Sequence, residues 1–437
     1  MKLSQTAKQY ALEHIANVAF PGIRTRIDAQ GIPCLDLGND IHVCFPLLSE
    51  EETEQLLAGT LPATAGTHSG AGPIPVFIPA VLPENDSEYG VLYPYDIITP
   101  SFLLLSRCEE LRAHELDAHL RFPYSESLCH HYGCIDLPLV DYYALMLRQF
   151  VCERFPAVVV KPRVPALIPT HDIDFLCRFS GWFTSWKSII GGDLLRDRSW
   201  RHAKESVRQL RNFRAHPLED PMMLGIQRLI EASSQCGVTS EFYFKGLHHG
   251  EKDSTYEIDS MAVARAMEWI RSAGMIIGVH GSYDSYHSAE RFEEECARVA
   301  AVAGEAVTRG RQHFLRFHAL TTLSVWQQAG LMSDSTLGYS EKEGFRCGTC
   351  HPFPLYDLEN DRPTGVIERP LIVMDTTLFR NYTGDLEGAL QKMRQLYGRS
   401  REAEGDFVIL WHNSSMFRSM EQWFQKVYLA FLTECTK

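Results

Sequence analysis

The sequence predicts an α/β protein, a parallel sheet wrapped by helices and either open or closed into a barrel. Three observations predict it. From Ala166 onward, apolar runs of strand length alternate with helical patterns, the order that builds parallel sheets. Three of those runs end in residues that carry chemistry: 164–169 opens into Thr170-His171-Asp172-Ile173-Asp174, 275–279 into His280, and 408–411 into His412. Strands of a parallel sheet share one carboxyl edge, where sites are built, so an Asp pair and two His there predict metal-assisted hydrolysis.

Residues 1–155 read as one block. Tyr10, Leu12, Ile15 and Val18 give residues 1–20 the spacing of an amphipathic helix. Strands are expected at 41–45 and 75–78, with 63–72, rich in small residues, as a mobile loop. Residues 96–105 lead into Ser106-Arg107-Cys108-Glu109-Glu110, and 141–155 has helical periodicity. A Pro-punctuated connection, 156–165, marks a boundary between domains 1–155 and 156–437. Beyond it, strands are expected at 167–169, 240–244, 275–279, 314–317, 371–374 and 407–411. Helices fall between and after them, at 222–236, 260–273, 288–307, 322–329, 385–397 and 416–433. Residues 182–216 interrupt this rhythm with Trp182, Trp186, Trp200 and a basic run at 198–214. The segment reads either as a lid or basic wall for an anionic or glycan substrate, or as a solvated insertion, which charge runs favour.

Composition narrows the function. The chain has 437 residues, 45% apolar and 22% charged, enough for a large core. A net charge of −13 argues against nucleic acid as a partner. No apolar run reaches membrane-spanning length, and the N-terminus lacks a cationic start before an apolar stretch. Twelve cysteines are therefore expected as reduced thiols in a cytoplasmic protein. Cys347-Gly348-Thr349-Cys350-His351 matches C-x-x-C-H, but covalent haem attachment needs export and no second C-x-x-C completes a zinc site. The plainer expectation is a Gly-rich turn with His351 lining a cleft.

The motifs assign chemistry in order. Asp172 and Asp174 offer one metal ligand and one general base, against the alternative of a helix N-cap or Asx turn. His280, leaving a strand into Gly281-Ser282-Tyr283-Asp284, is free to ligate. Arg311 would hold a catalytic aspartate ionised, with His313 a spare imidazole beside it and His318 a weaker candidate. Asp334-Ser335-Thr336 and, after it, Gly344-Phe345-Arg346 read as loops lining a polar cleft. His412 could protonate a leaving amine if Asp375 or Asp334 keeps it charged.

These five motifs, in this order across about residues 166–415, resemble the polysaccharide deacetylases of carbohydrate esterase family four, the NodB-homology domain. The resemblance implies a distorted (β/α) barrel with an N-terminal α/β accessory domain. It makes Asp172 the general base, Asp174 and His280 metal ligands, Arg311 the residue orienting the base, Asp334 part of the fourth motif and His412 the general acid. Tyr283, His171 and Arg346 fall on the substrate side. The second motif usually reads His-x-x-x-His, and here its last position is Asp284. The third ligand is then Asp284 or, by preference, His313. The implied cofactor is a divalent metal, with Zn²⁺ favoured. The implied reaction removes an N-acetyl group from an amino sugar or surface-polysaccharide precursor. O-deacetylation, another amide hydrolysis, or a non-catalytic glycan-binding role are the alternatives.

Overall fold

The computed structural model describes residues 1–38, 41–68, 72–81, 90–177, 190, 200, 203–204, 206–208, 210, 217–247, 250, 252–253, 256–416 and 421–436. Most of the 182–216 insertion lies outside these residues, and its two readings with it.

The N-terminal helix α1 (Gln5–Ala19) opens on Ser4, whose hydroxyl accepts from the Ala7 N–H, and it buries the expected Tyr10, Leu12, Ile15 and Val18. Strands β1 (Arg24–Ile27), β2 (Pro33–Gly38) and β3 (Ile41–Cys44) follow, then α2 (Glu50–Leu57), held by a Ser49/Glu52 capping box. Strands β4 (Thr64–Gly66) and β5 (Ile74–Val76) pair antiparallel, so part of the stretch expected as a loop is strand. Gly66 makes this possible, because a Cβ there would meet Val76 Cγ1 at 2.9 Å. Strand β6 (Gly90–Leu92) completes a four-stranded sheet ordered β1-β2-β3-β6. Helices α3 (Ile98–Ser106), α4 (Leu128–His131) and α5 (Leu139–Arg154) end the block.

The remaining strands form the main sheet. They are β7 (Leu167–Ile173), β8 (Glu241–Phe244), β9 (Ile276–Gly281), β10 (Arg309–Gln312), β11 (Ser333–Asp334), β12 (Phe353–Asp357), β13 (Arg362–Glu368), β14 (Leu371–Met374) and β15 (Phe407–Leu410). Their order is β12-β13-β11-β10-β9-β8-β7-β15-β14, and every pairing but β12–β13 is parallel. The fold is thus mixed α/β with a nine-stranded sheet, and its end strands β12 and β14 do not pair with each other. Among the described residues the sheet curls into a half-barrel whose end strands stay unpaired, consistent with the distorted barrel that the resemblance implied. The helices are α6 (Pro221–Gln235), α7 (Met261–Ser272), α8 (Ala289–Ala303), α9 (Thr322–Gln328), α10 (Asp375–Tyr382), α11 (Leu386–Glu402) and α12 (Glu421–Cys435).

Two strand positions differ from expectation in ways that matter. Strand β7 starts later and runs further, because Val164 is 86% exposed while Thr170–Ile173 pair with β8. Asp172 therefore lies within the strand, not after it. Residues 314–317 are not a strand: Phe314 and Leu315 have φ of 59° and 57°, left-handed values that end the extended chain. The strand is the more polar Arg309–Gln312, which puts Arg311 on the sheet itself. The hairpin β12–β13 had no counterpart in the sequence reading.

One hydrophobic core, from Ala7 to Leu432, runs through both the N-terminal block and the sheet. Arg346, on the sheet side, bridges to Glu110 at 2.6 Å, and Arg107 Nη1 donates to the Arg346 carbonyl at 3.0 Å. No helix among the described residues is long and apolar enough to cross a membrane.

Candidate active site

The strand order decides where side chains can meet. The chain moves from β7 outward through β8, β9 and β10, then returns to the other side of β7 with β15 and β14. The carboxyl ends on either side of that switch face one another, the usual place for a site in an open α/β sheet. There a cavity of about 260 Å³ is lined by Asp172, Asp174, His280, His313, His412 and a rim that includes His119 and Arg121.

Asp174, His280 and His313 offer ligand atoms all within 4.8 Å of one another. His280 Nε2 lies 3.4 Å from Asp174 Oδ1, and His313 Nε2 lies 3.2 Å from the same oxygen. The second nitrogen of each ring is occupied. His280 Nδ1 donates to the Arg311 carbonyl at 3.0 Å, and His313 Nδ1 faces Asp253 Oδ1 at 3.5 Å. This outer support fixes a tautomer with the lone pair turned inward, the usual arrangement around a metal-binding histidine. Asp174 Oδ1 is buried and accepts no well-formed hydrogen bond, although the Lys245 ammonium faces it at 3.2 Å. One carboxylate and two imidazoles converging there fit a divalent ion with nitrogen and oxygen preference, Zn²⁺ among them. The ordinary pKa of His280 is lowered by burial, against the pull of Asp172 and Asp174, which favours the neutral, ligating ring.

Asp172 sits beside this group with Oδ2 3.7 Å from His280 Nε2. Arg311 Nη1 donates to its Oδ1 at 2.9 Å, and the guanidinium is fixed by Ser335, through the carbonyl at 2.6 Å and Oγ at 3.0 Å. Burial would raise the Asp172 pKa, but the neighbouring His280 ring and the Arg311 guanidinium bring it below the usual carboxylate range. For Asp174 burial also opposes ionisation, and His313 and Lys245 hold it well below that range.

His412 closes the opposite side. Its Nε2 is 3.6 Å from Asp174 Oδ2, and its Nδ1 donates to Asp375 Oδ1 at 2.8 Å. Asp375 Oδ2 also accepts from the His412 N–H at 2.8 Å and from Ser415 Oγ at 2.5 Å. Burial disfavours the charged ring, yet Asp375, then Asp174 and Asp172, raise its pKa to about 10. Of the two partners the sequence offered for His412, the neighbouring one is Asp375.

Other expected site residues lie elsewhere. Asp284 is 52% exposed and paired with Arg316 at 2.9 Å, outside the three-residue group. His171 alternates away from Asp172 along the strand, its Nδ1–H donating to the Trp411 carbonyl at 2.7 Å and its ring packing on Phe242 and Tyr428. Arg346 is 2% exposed in the ion-pair network with Glu110 and is not among the residues lining the cavity. Asp334 is fully buried beneath Arg311, hydrogen-bonded by Thr336, and burial pushes its pKa up to about 7. Tyr283 stands behind the rim, its hydroxyl 3.1 Å from His119 Nδ1. His351 is 5% exposed with Nε2 on the Ala403 carbonyl at 2.8 Å, so it lines no cleft. It groups with Asp141 and Cys350, but that carboxylate is satisfied by Thr349 Oγ1 at 2.6 Å, the Cys350 N–H at 2.8 Å and its Sγ at 3.1 Å.

The sequence reading missed three residues. Lys245 ends the apolar run Phe242-Tyr243-Phe244, and a lone lysine at a strand's carboxyl end was a usable signal. Asp253 and His119 sit in loops with no pattern to mark them.

DUF7033, a family of unknown function, matches residues 25–156. Comparison with curated proteins gives no match. Among solved structures, one assigned as a polysaccharide deacetylase from Mycobacterium smegmatis is similar at 16% identity and TM-score 0.39, covering 63% of this chain and 88% of that one. A family 4 carbohydrate esterase from Streptomyces lividans, solved with acetate, is 16% identical at TM-score 0.29, covering 48% and 83%. A family 4 carbohydrate esterase pseudoenzyme from Bacillus anthracis is 10% identical at TM-score 0.28, covering 64% and 67%.

Proposed function

We propose that the protein is a metal-dependent hydrolase that removes an acetyl group from the nitrogen of an amino sugar or of a surface-polysaccharide precursor. One observation carries the reading: an Arg-held carboxylate and an Asp-held histidine flank the same Asp174–His280–His313 group in one cavity. Asp174, His280 and His313 would hold a divalent cation, with Zn²⁺ favoured by the donor set. When bound, that ion supplies Lewis acidity to an acyl oxygen.

The chain's own residues supply the rest. Asp172, ionised and aimed by Arg311, takes a proton from water at the acyl carbon. His412 carries its proton on Nε2, because Nδ1–H is committed to Asp375, and delivers it to the departing nitrogen. Free amine and acetate result. Phe314, Leu315 and Leu410 give the cavity an apolar wall suited to excluding bulk water. Arg311 aligns the base.

Acetate release from N-acetylated and O-acetylated sugars tests the reading. Asp172→Asn should keep the cation and lose about 10² or more in rate. Normal turnover in that variant removes Asp172 as base. Faster release from O-acetylated sugars assigns an esterase instead. A sugar-binding relative without turnover draws on one feature, the Lys245 ammonium against Asp174.

A further inference from the structure

A lysine is buried inside the candidate cation group. Lys245 follows β8, its side chain is 1% exposed, and Nζ lies 3.2 Å from Asp174 Oδ1. The same Nζ is 2.9 Å from each ring nitrogen of His313. Equal distances to both nitrogens put the ammonium over the imidazole rather than on the axis of one lone pair. His313 can therefore still turn Nε2 toward Asp174, 3.2 Å away.

Asp174 Oδ1 is the contested atom. His280, His313 and Lys245 all face it, and a divalent ion held by this group would bond to it. The other charges nearby already have partners. Arg311 neutralises Asp172, His412 neutralises Asp375, and Asp253 faces His313. Lys245 thus cancels the charge of the group's only carboxylate. A second positive charge brought beside it is repelled across a buried environment that screens far less than water. Gly246 keeps the lysine there, because a Cβ at that position would meet the Glu295 carbonyl oxygen at 2.3 Å and so pins the backbone against α8.

We infer that Lys245 is a built-in competitor for the cation. It holds Asp174 and His313 in place when no ion is bound, and it weakens the grip of the group on a divalent ion. The inference rests on the reading of Asp174, His280 and His313 as cation ligands. It makes cation occupancy depend on supply, so the protein loads at high free metal and empties at low.

The test is calorimetric titration of the full chain with Zn²⁺, checked by metal content after dialysis. Lys245→Met keeps the stem and removes the charge, and it should bind Zn²⁺ about tenfold tighter or better. Lys245→Arg keeps the charge and should show no such gain. Lys245→Gln gives the same comparison should the Met variant not fold. Equal or weaker binding in the uncharged variants overturns the inference and leaves the cation site standing. Absence of Zn²⁺ binding in both wild type and the uncharged variants overturns the inference together with the ligand reading.

Discussion

Asp375→Asn is the most informative substitution, because it removes one charge without changing the shape of the side chain. Asn keeps the size and an oxygen that can still accept from His412 Nδ1. Asp375 is the foremost of three carboxylates that lift His412 from 6.5 to about 10. That rise of about 3.5 pH units corresponds to about 5 kcal/mol at 1.36 kcal/mol per unit. With Asp375 the largest of the raising causes, its removal should bring the ring's midpoint clearly below 10. The assay is a proton–carbon NMR titration of the His412 ring between pH 5 and 11, assigned with His412→Gln. A midpoint that stays near 10 in Asp375→Asn refutes the account of how this histidine is kept charged.

The same substitution makes a stability prediction whose sign follows from linkage. The folded pKa of His412 lies above its unfolded value, so the charged pair stabilises fully below about pH 6.5 and is lost as pH rises through about 10. The stability gap between wild type and Asp375→Asn should be widest near pH 6 and should narrow toward pH 10. Breaking a buried pair costs about 3–5 kcal/mol. The His412 N–H or Ser415 also loses an acceptor wherever the new amide points NH₂ at them, adding about 1–3 kcal/mol that does not vary with pH. Urea unfolding at several pH values separates the two parts.

Other outcomes follow from the geometry. Metal content after dialysis should fall to background in Asp174→Ala, His280→Ala and His313→Ala, and stay at the wild-type level in Asp284→Ala, whose partner is Arg316. Gly225→Ala should destabilise by about 1–3 kcal/mol despite alanine's better helix propensity. Its Cβ would meet the Asn413 carbonyl oxygen at 2.4 Å, a backbone atom that can yield only by moving the residue next to His412, so acetate release should fall with stability in the same melts and assays.

Much of this site was legible in the sequence for one physical reason. A strand's end is marked by where an apolar run stops, and parallel pairing brings such ends together whatever their separation along the chain. Asp172, Asp174, His280 and His412 all carry that mark. Arg311 and His313 carried a misleading one. The apolar run 314–317 looked like a strand, whereas backbone turning at Phe314 and Leu315 gives the strand to Arg309–Gln312. In the expected register Arg311 and His313 would precede the strand at its amino edge, whereas the observed strand carries Arg311 within it and leaves His313 just past its carboxyl end.

What the sequence could not reveal is direction. His171 and Asp172 are neighbours in one motif, yet strand alternation sends one ring to Tyr428 and the other carboxylate to Arg311. Arg346 follows a motif loop, yet the N-terminal block supplies Glu110 and Arg107 to bury it. A motif names residue types and leaves open which face meets solvent and which meets a domain packed from elsewhere in the chain. Lys245 shows the converse. Its place at a strand's end marked it without saying what it faces, but a cation that is 1% exposed must be held by an acid, and here the acid is the ligand itself. The chemistry of the cluster is therefore set as much by the residue that opposes the ion as by the three that would hold it.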